Sequence, residues 1–426
     1  MKGRTLGIAS IGLLAATSVA NLSMLFYHRV MSQRLGPSYA QLVALMAVVN
    51  VLSNVTLGLN TYLVKAFSAD AELDGPGAVK GRLGKMLKPG FISLALVMIL
   101  LAVASPWIAS YLKLPGIGLA LMVDLVFAAG VLLLTLRSAQ QGLHHFGWLG
   151  LSLAAEGLAR VGAVFSLTLG VAGGLGAMVF GQGVGSLFAA GGLLGLGPSR
   201  RIHRRPLGER GLKHALAEGS SDTLTLTLLA LLCYLDVLVL KHHYTDERAG
   251  LYSRAALVAK SFLYLPGALN MILLAAAARD LAGGRDPRRL LKWFLLGAVA
   301  LDGMGLAVVW TRTPFCLGLL AGSDPRFRTD AMLVLTRWFS LAVIPLGLLQ
   351  MVAAYLLAVR AKGVSLGMGI LATLYFAALS RVWDSELAVV AALGLCSFVG
   401  LGGALWSALV WPPKSPDHAR VLQMRV

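Results

Sequence analysis

Charge is scarce in this sequence, and acid is scarcer than base. Only 13% of its 426 residues are Asp, Glu, Lys or Arg, where a soluble domain carries about a quarter. Nineteen acidic residues face 37 basic ones, for a net charge of +18. Cysteine is down to three, Cys233, Cys316 and Cys396. All lie in or beside apolar stretches, with no disulfide framework and no metal-ligand spacing. The histidine pairs His144-His145 and His242-His243 are adjacent, so each pair splits across a helix and lacks a third ligand. No metal and no cofactor is expected. "GQGVGS" at 181–186 lacks the strand–turn–helix setting and the following lysine of a phosphate loop, which removes nucleotide hydrolysis by that route. No basic stripe carries stacking aromatics, so the positive charge does not point to nucleic acid.

Long apolar runs are what the chain does have. Hydrophobic residues make up 57% of it, with a mean hydropathy of +0.77. The runs reach about 20 residues or more, the length of a membrane-spanning helix. Twelve are expected: 5–27, 38–66, 89–112, 117–137, 147–170, 174–196, 216–240, 249–278, 290–310, 330–358, 364–380 and 385–411. The first shares a basic start and a Ser-Val-Ala at 18–20 with cleaved signals. It continues to Tyr27 with no soluble domain behind it, and is read as a retained span. The sequence therefore predicts an all-α, polytopic membrane protein.

Basic residues fall mostly in alternate loops. With the N-terminus inside, 24 Lys and Arg lie in inner segments and nine in outer loops. That bias places both termini in the cytoplasm. The polar connection 197–215 divides the spans six and six. The expected organisation is a lobe at 1–196, a basic linker at 197–215, a lobe at 216–411 and a tail at 412–426. Residues 34–70 and 248–280 resemble each other, each opening on Arg-x-Gly with a tyrosine soon after and closing on an aspartate. Six-span repeats of equal orientation are related by an axis along the membrane normal. Two such lobes around a central cavity suit alternating access.

Ionisable groups at bilayer depth are costly and mark candidate sites. Glu156 and Arg160 are four residues apart on one helix face. Either they form an internal ion pair or they line a cavity. Asp236, near the outer end of its span, either bonds a neighbouring helix or responds to a cation or proton. Lys241 is five residues on, about 140° round the helix, so those two do not pair along it. Lys260 lies deep in a span that also holds Pro266, a kink, and Asn270. That combination makes Lys260 the foremost candidate for a wet cavity. Arg254 is near enough to the outer end to snorkel. Arg337 precedes Pro345. Asn50 and Asn54 share a face, and either bond a neighbouring helix or contact substrate. Gly181/Gly185 and Gly191/Gly195 are read as sites of close helix packing.

One stretch then resembles a known group. Leu235, Asp236, Val237, Lys241, Ala249-Gly250-Leu251-Tyr252, Lys260 and Leu265-Pro266-Gly267 are similar to polysaccharide-biosynthesis membrane proteins. These are oligosaccharide flippases of the multidrug/oligosaccharidyl-lipid/polysaccharide (MOP) exporter superfamily. Residues 34–53, with Leu-Gly-Pro opening the second span, resemble the first-repeat counterpart. The resemblance implies a non-enzymatic transporter of two six-helix lobes around a central cavity. It implies a lipid-linked oligosaccharide as substrate, carried from the inner to the outer leaflet. Membrane lipids and polysaccharide assembly proteins are the implied partners, and H+ or Na+ the implied coupling ions. The implied diphosphate-binding cations are Arg29, Arg160, Lys241, Arg254, Lys260 and Arg337. A cation-coupled multidrug antiporter of the same fold is the first alternative, centred on Asp236, Asp124 or Asp302. A membrane-embedded glycosyltransferase or polymerase would need catalytic acids on a large outer loop. The longest, 311–330, offers only Asp324 and Asp330. A non-transporting assembly scaffold is the remaining alternative.

Overall fold

The architecture is taken from a computed structural model. It describes residues 3–56, 60, 63–64, 66–68, 70–71, 75–166, 170–194, 209–263, 269, 273, 276–277, 280, 286–322, 324–359, 361 and 363–410. Asn270, Pro266 and Gly195 lie outside the described residues.

The described residues form α-helices joined by short 3-10 segments and turns. In order they are α1 (Gly3–Leu35), α2 (Tyr39–Val55), α3 (Pro76–Tyr111), α4 (Ile117–Gly142), α5 (Phe146–Ser166) and α6 (Gly170–Leu194). There follow α7 (Glu209–His243), α8 (Asp246–Lys260), α9 (Arg288–Leu320), α10 (Asp330–Ala358), α11 (Val364–Val382) and α12 (Glu386–Val410). Ten helical stretches among the described residues are long and apolar enough to cross a membrane, and the first, Ala15–Val55, takes in both α1 and α2. Those two are separated at Gly36–Ser38, a 3-10 turn with Pro37 at its start. Gly36 there has φ +55, a backbone region that glycine enters without a Cβ penalty.

Exposure supports the membrane setting. On α3, Ile99, Leu100, Val103 and Trp107 are 60–74% exposed. A soluble protein rarely leaves so continuous an apolar stripe in water. In a bilayer the stripe costs nothing, because its neighbours are acyl chains. The chain is a multi-pass membrane protein.

The chain divides into two compact units. One comprises Met1–Thr227 and Tyr244–Glu247, the other Leu228–His243 and Arg248–Val426. The division falls inside α7, which begins at Glu209. In the first unit α6 packs on α5 and α4, and α1 packs on α5. In the second, α10 packs most extensively on α12 and also on α9.

Several expected boundaries move: the first span, expected at 5–27, continues to Leu35, and the third, expected from 89, begins at Pro76. The fourth span runs past Arg137 to Gly142. The expected outer loop 311–330 is helical as far as Leu320, across a break at Arg312 (φ −126, ψ 34) two residues before Pro314. The break accommodates a proline that would otherwise clash with the preceding turn.

Candidate functional site: two buried ion clusters

In the second unit, Asp236 of α7 is fully buried. Its partners come from the following helix. Lys260 Nζ donates to Asp236 Oδ1 at 2.7 Å and to Oδ2 at 2.9 Å. Tyr252 OH donates to Oδ2 at 2.7 Å. The ammonium also donates to the Cys233 carbonyl at 2.6 Å. Tyr234 and Phe339 each present a ring 5.7 Å from Lys260 Nζ, a distance at which a cation is attracted to the ring face. Lys260 is thus occupied by a carboxylate, a carbonyl and two rings. The helix neighbour Lys241, 1% exposed, does not make this pair, and Lys260, 24 residues from Asp236, does. Asp236 therefore bonds a neighbouring helix through Lys260 and Tyr252.

In the first unit, Glu156 sits at the middle of α5 and serves two arginines. Arg160 Nη2 bonds Glu156 Oε1 one turn on. Arg137 Nη2 of α4 reaches Glu156 Oε2 at 2.8 Å. Arg137 also donates to the Ser152 hydroxyl and carbonyl, both at 3.0 Å. Ser152 OH in turn donates to the Gly185 carbonyl of α6 at 2.8 Å. Side-chain exposure is 14% for Arg137, 14% for Glu156 and 10% for Arg160. Arg160 Nη1 meets only the thioether of Met24, at 3.0 Å, and its Nε has no partner among the described residues. A thioether is a weak acceptor. With one carboxylate against two guanidinium groups, the cluster carries a net charge of +1.

The glycines of α6 make this cluster possible. A Cβ on Gly181 would lie 2.8 Å from the Glu156 carbonyl, and one on Gly185 would lie 3.0 Å from Glu156 Cβ. Close packing was the expectation for this pair. Gly191 lies against Trp148, where a Cβ would meet the indole at 3.3 Å.

The other candidates are dispersed. Arg29 is partly exposed on α1 and has no ion-pair or hydrogen-bond partner among the described residues. Arg254 and Lys241 are buried in the second unit, 3% and 1% exposed, and neither is free. Arg337 donates from Nε to Thr313 OH at 2.9 Å. Asn54 Nδ2 bonds the Asn50 carbonyl within α2 at 2.8 Å, so that bond stays inside its own helix. Asp302 of α9 is 1% exposed, and neither carboxylate oxygen has a partner among the described residues. Arg137 and Tyr234 complete the clusters without having stood out in the sequence. A buried tyrosine two residues after the Ala-Gly of α8 was visible; its bond to Asp236 was not.

No known protein family's sequence profile matches the chain, and no curated protein matches it in sequence. Its architecture is found among solved membrane transporters. The chain is similar to a multidrug resistance MATE family transporter of the MOP superfamily in an inward-facing conformation, with a TM-score of 0.75 and 13% identity over 94% of this chain and 97% of that one. It is similar to the lipid II flippase MurJ in an inward closed conformation, with a TM-score of 0.69 and 13% identity over 94% and 88%. A MOP superfamily transporter from Pyrococcus furiosus, described by the reverse polarity of its binding pocket, gives 0.67 and 13% over 94% of each chain. The chain has the fold of the MOP-superfamily transporters.

Proposed function

We propose that the protein is a flippase that carries an anionic lipid-linked oligosaccharide from the inner to the outer leaflet of a bacterial cytoplasmic membrane, for surface polysaccharide assembly. The net positive charge of the Arg137–Glu156–Arg160 cluster is the observation that carries this reading. Arginine presents a planar fork suited to phosphate oxygens, and an unmatched cation at bilayer depth calls for an anion. Arg29 adds a second cation in the same unit with no described partner.

In this mechanism Glu156 stands in for the substrate. It holds both arginines while the diphosphate is absent. An arriving diphosphate takes over N–H groups of Arg160 and Arg137 from the carboxylate. On release the carboxylate recovers them, so neither guanidinium is left bare in a medium of low dielectric. The 24-to-nine distribution of basic residues supports cytoplasmic termini and thus the direction of transfer.

The test is transfer of a polyprenyl-diphosphate-linked sugar across proteoliposomes by the full chain and by Arg160→Gln and Arg29→Gln. Transfer should fall in both variants while membrane insertion is unchanged. Wild-type transfer by both would remove the anion-binding assignment. A second reading, the cation-coupled antiporter, draws on Asp302, a buried carboxylate with no partner among the described residues. It requires Asp302→Asn to abolish gradient-driven efflux. The same variant leaves transfer of the diphosphate-linked sugar intact under the flippase reading.

A further inference from the structure

The second unit has an apolar groove of about 730 Å³ on its surface, between α10 and α12. Its floor is made of small residues: a Cβ on Gly394 would lie 3.1 Å from that of Ala342, so the two helices touch there. Its walls are large: Trp338 and Leu341 on one side, Leu395 and Phe398 on the other. Trp338 is 50% exposed, Leu395 66% and Phe398 67%. Both helices are among those long and apolar enough to span a membrane, so the groove opens onto lipid.

Its length and its ends say what fits it. From Leu387 to Phe398 the groove follows α12 for about 16 Å at 1.5 Å per residue. That is about half of the 30 Å hydrocarbon core, the depth of one leaflet. It starts beside Glu386, whose carboxylate is neutralised by Arg248 at 2.5 and 3.0 Å. At the same end Trp338 packs edge-on to Trp310, ring centroids 5.9 Å apart, as aromatics do at the headgroup level. Arg337 lies on α10 beside the lining residue Trp338 and one turn before the lining residue Leu341. Only its Nε is engaged, by Thr313, and it has no acidic partner among the described residues. Its remaining N–H groups are free to bind an anion. Arg312, exposed at the break in α9, adds a second cation nearby in the fold.

We infer that this groove binds one anionic glycerophospholipid of the bilayer, with an acyl chain along α10 and α12 and its phosphate on Arg337. The inference rests on the membrane setting alone and is independent of what the protein transports. A groove one leaflet deep with a cation at its headgroup end matches a bilayer lipid. Its chain is as long as the groove, and its phosphate supplies the charge that Arg337 lacks.

Native mass spectrometry of the full chain tests it, with phosphatidylglycerol, phosphatidylcholine and polyprenyl phosphate offered together. One phosphatidylglycerol should remain bound, preferred about fivefold over phosphatidylcholine, the factor for about 1 kcal/mol from one basic residue at the membrane surface. Arg337→Gln should keep a bound lipid but lose the preference. Ala391→Phe, which fills the groove from an exposed position, should lose the lipid. Unchanged binding in Ala391→Phe, no preference in the wild type, or polyprenyl phosphate displacing phosphatidylglycerol each overturns the inference. Quenching by phosphatidylglycerol with brominated chains supplies a reading that needs no groove-filling variant. The quenched fraction should fall in Trp338→Phe, with the remainder coming from other exposed tryptophans such as Trp107, and quenching unchanged by that substitution also counts against the site.

Discussion

The two buried ion clusters are built from similar parts and come to opposite balances. Each centres on one carboxylate in a membrane-spanning helix, Glu156 in one unit and Asp236 in the other. Asp236 meets one cation, Lys260, and the pair is closed off by Tyr252, the Cys233 carbonyl and two rings. Glu156 meets two cations, Arg137 and Arg160, with one arginine nitrogen left on a thioether and another without a partner. A neutral, saturated pair is a fastening between α7 and α8. A surplus cation is a standing request for an anion. The difference moves the functional expectation away from Lys260, the foremost sequence candidate, and towards the arginines of α4 and α5.

Breaking the neutral pair should have the largest effect. Asp236→Ala leaves Lys260 without its counter-charge, at a cost of about 3–5 kcal/mol. The double substitution Asp236→Leu/Lys260→Met should recover most of that loss in a thermal melt of the detergent-solubilised protein, since apolar replacement of a buried pair is commonly neutral or better. A double variant as unstable as the single one would assign Asp236 more than a fastening role.

Removing one cation from the other cluster should act differently. Arg137→Gln leaves the neutral Glu156–Arg160 pair behind, so the loss of stability is about 1.5–3 kcal/mol, the range for a charged hydrogen bond. Transfer of the diphosphate-linked sugar should fall far more than stability does. Parallel loss of both would make the two clusters equivalent and erase the contrast. Gly181→Ala probes the packing that only the first cluster needs. Its new Cβ would press on the Glu156 backbone, and overpacking of this kind costs about 1–3 kcal/mol. Melting temperature should drop, and Gly183→Ala, with open space at its Cβ, serves as the control.

The smallest effect belongs outside the membrane. Hydrogen bonds from Arg326 hold the Asp324 carboxyl below the usual carboxylate range. A depressed folded value contributes stability above the unfolded pKa of about 4 and loses it as pH falls through the folded value. The pair is solvent-screened, so Asp324→Asn should change stability by less than about 1 kcal/mol at neutral pH. The difference from wild type should vanish in acid melts. A larger gap would mean that surface and buried pairs in this protein do not differ as the clusters suggest.

Helix positions were largely legible. The span expected at 385–411 is Glu386–Val410, and the short one at 364–380 is Val364–Val382. Run length and apolarity are local properties, so they survive without knowledge of neighbours. The fourth span was ended five residues early because Arg137 read as a loop charge. In the structure Glu156, 19 residues on, makes that charge tolerable inside the helix. The Arg160–Glu156 pair, at i and i+4, was visible from spacing. The Lys260–Asp236 pair, 24 residues apart on two helices, was not. Nor could Arg337 be placed: a cation beside a proline on one helix says nothing of the groove its face shares with α12.

The sequence by itself determined that this chain lives in a membrane as a many-helix bundle, because a run of about 20 apolar residues has no better solvent than a bilayer. It also marked which residues would be expensive there. Only the tertiary structure decided which of those charges cancel and which remain. Pairing depends on distances between helices, and those are set by where glycine lets two backbones approach, as at Gly181 and Gly185.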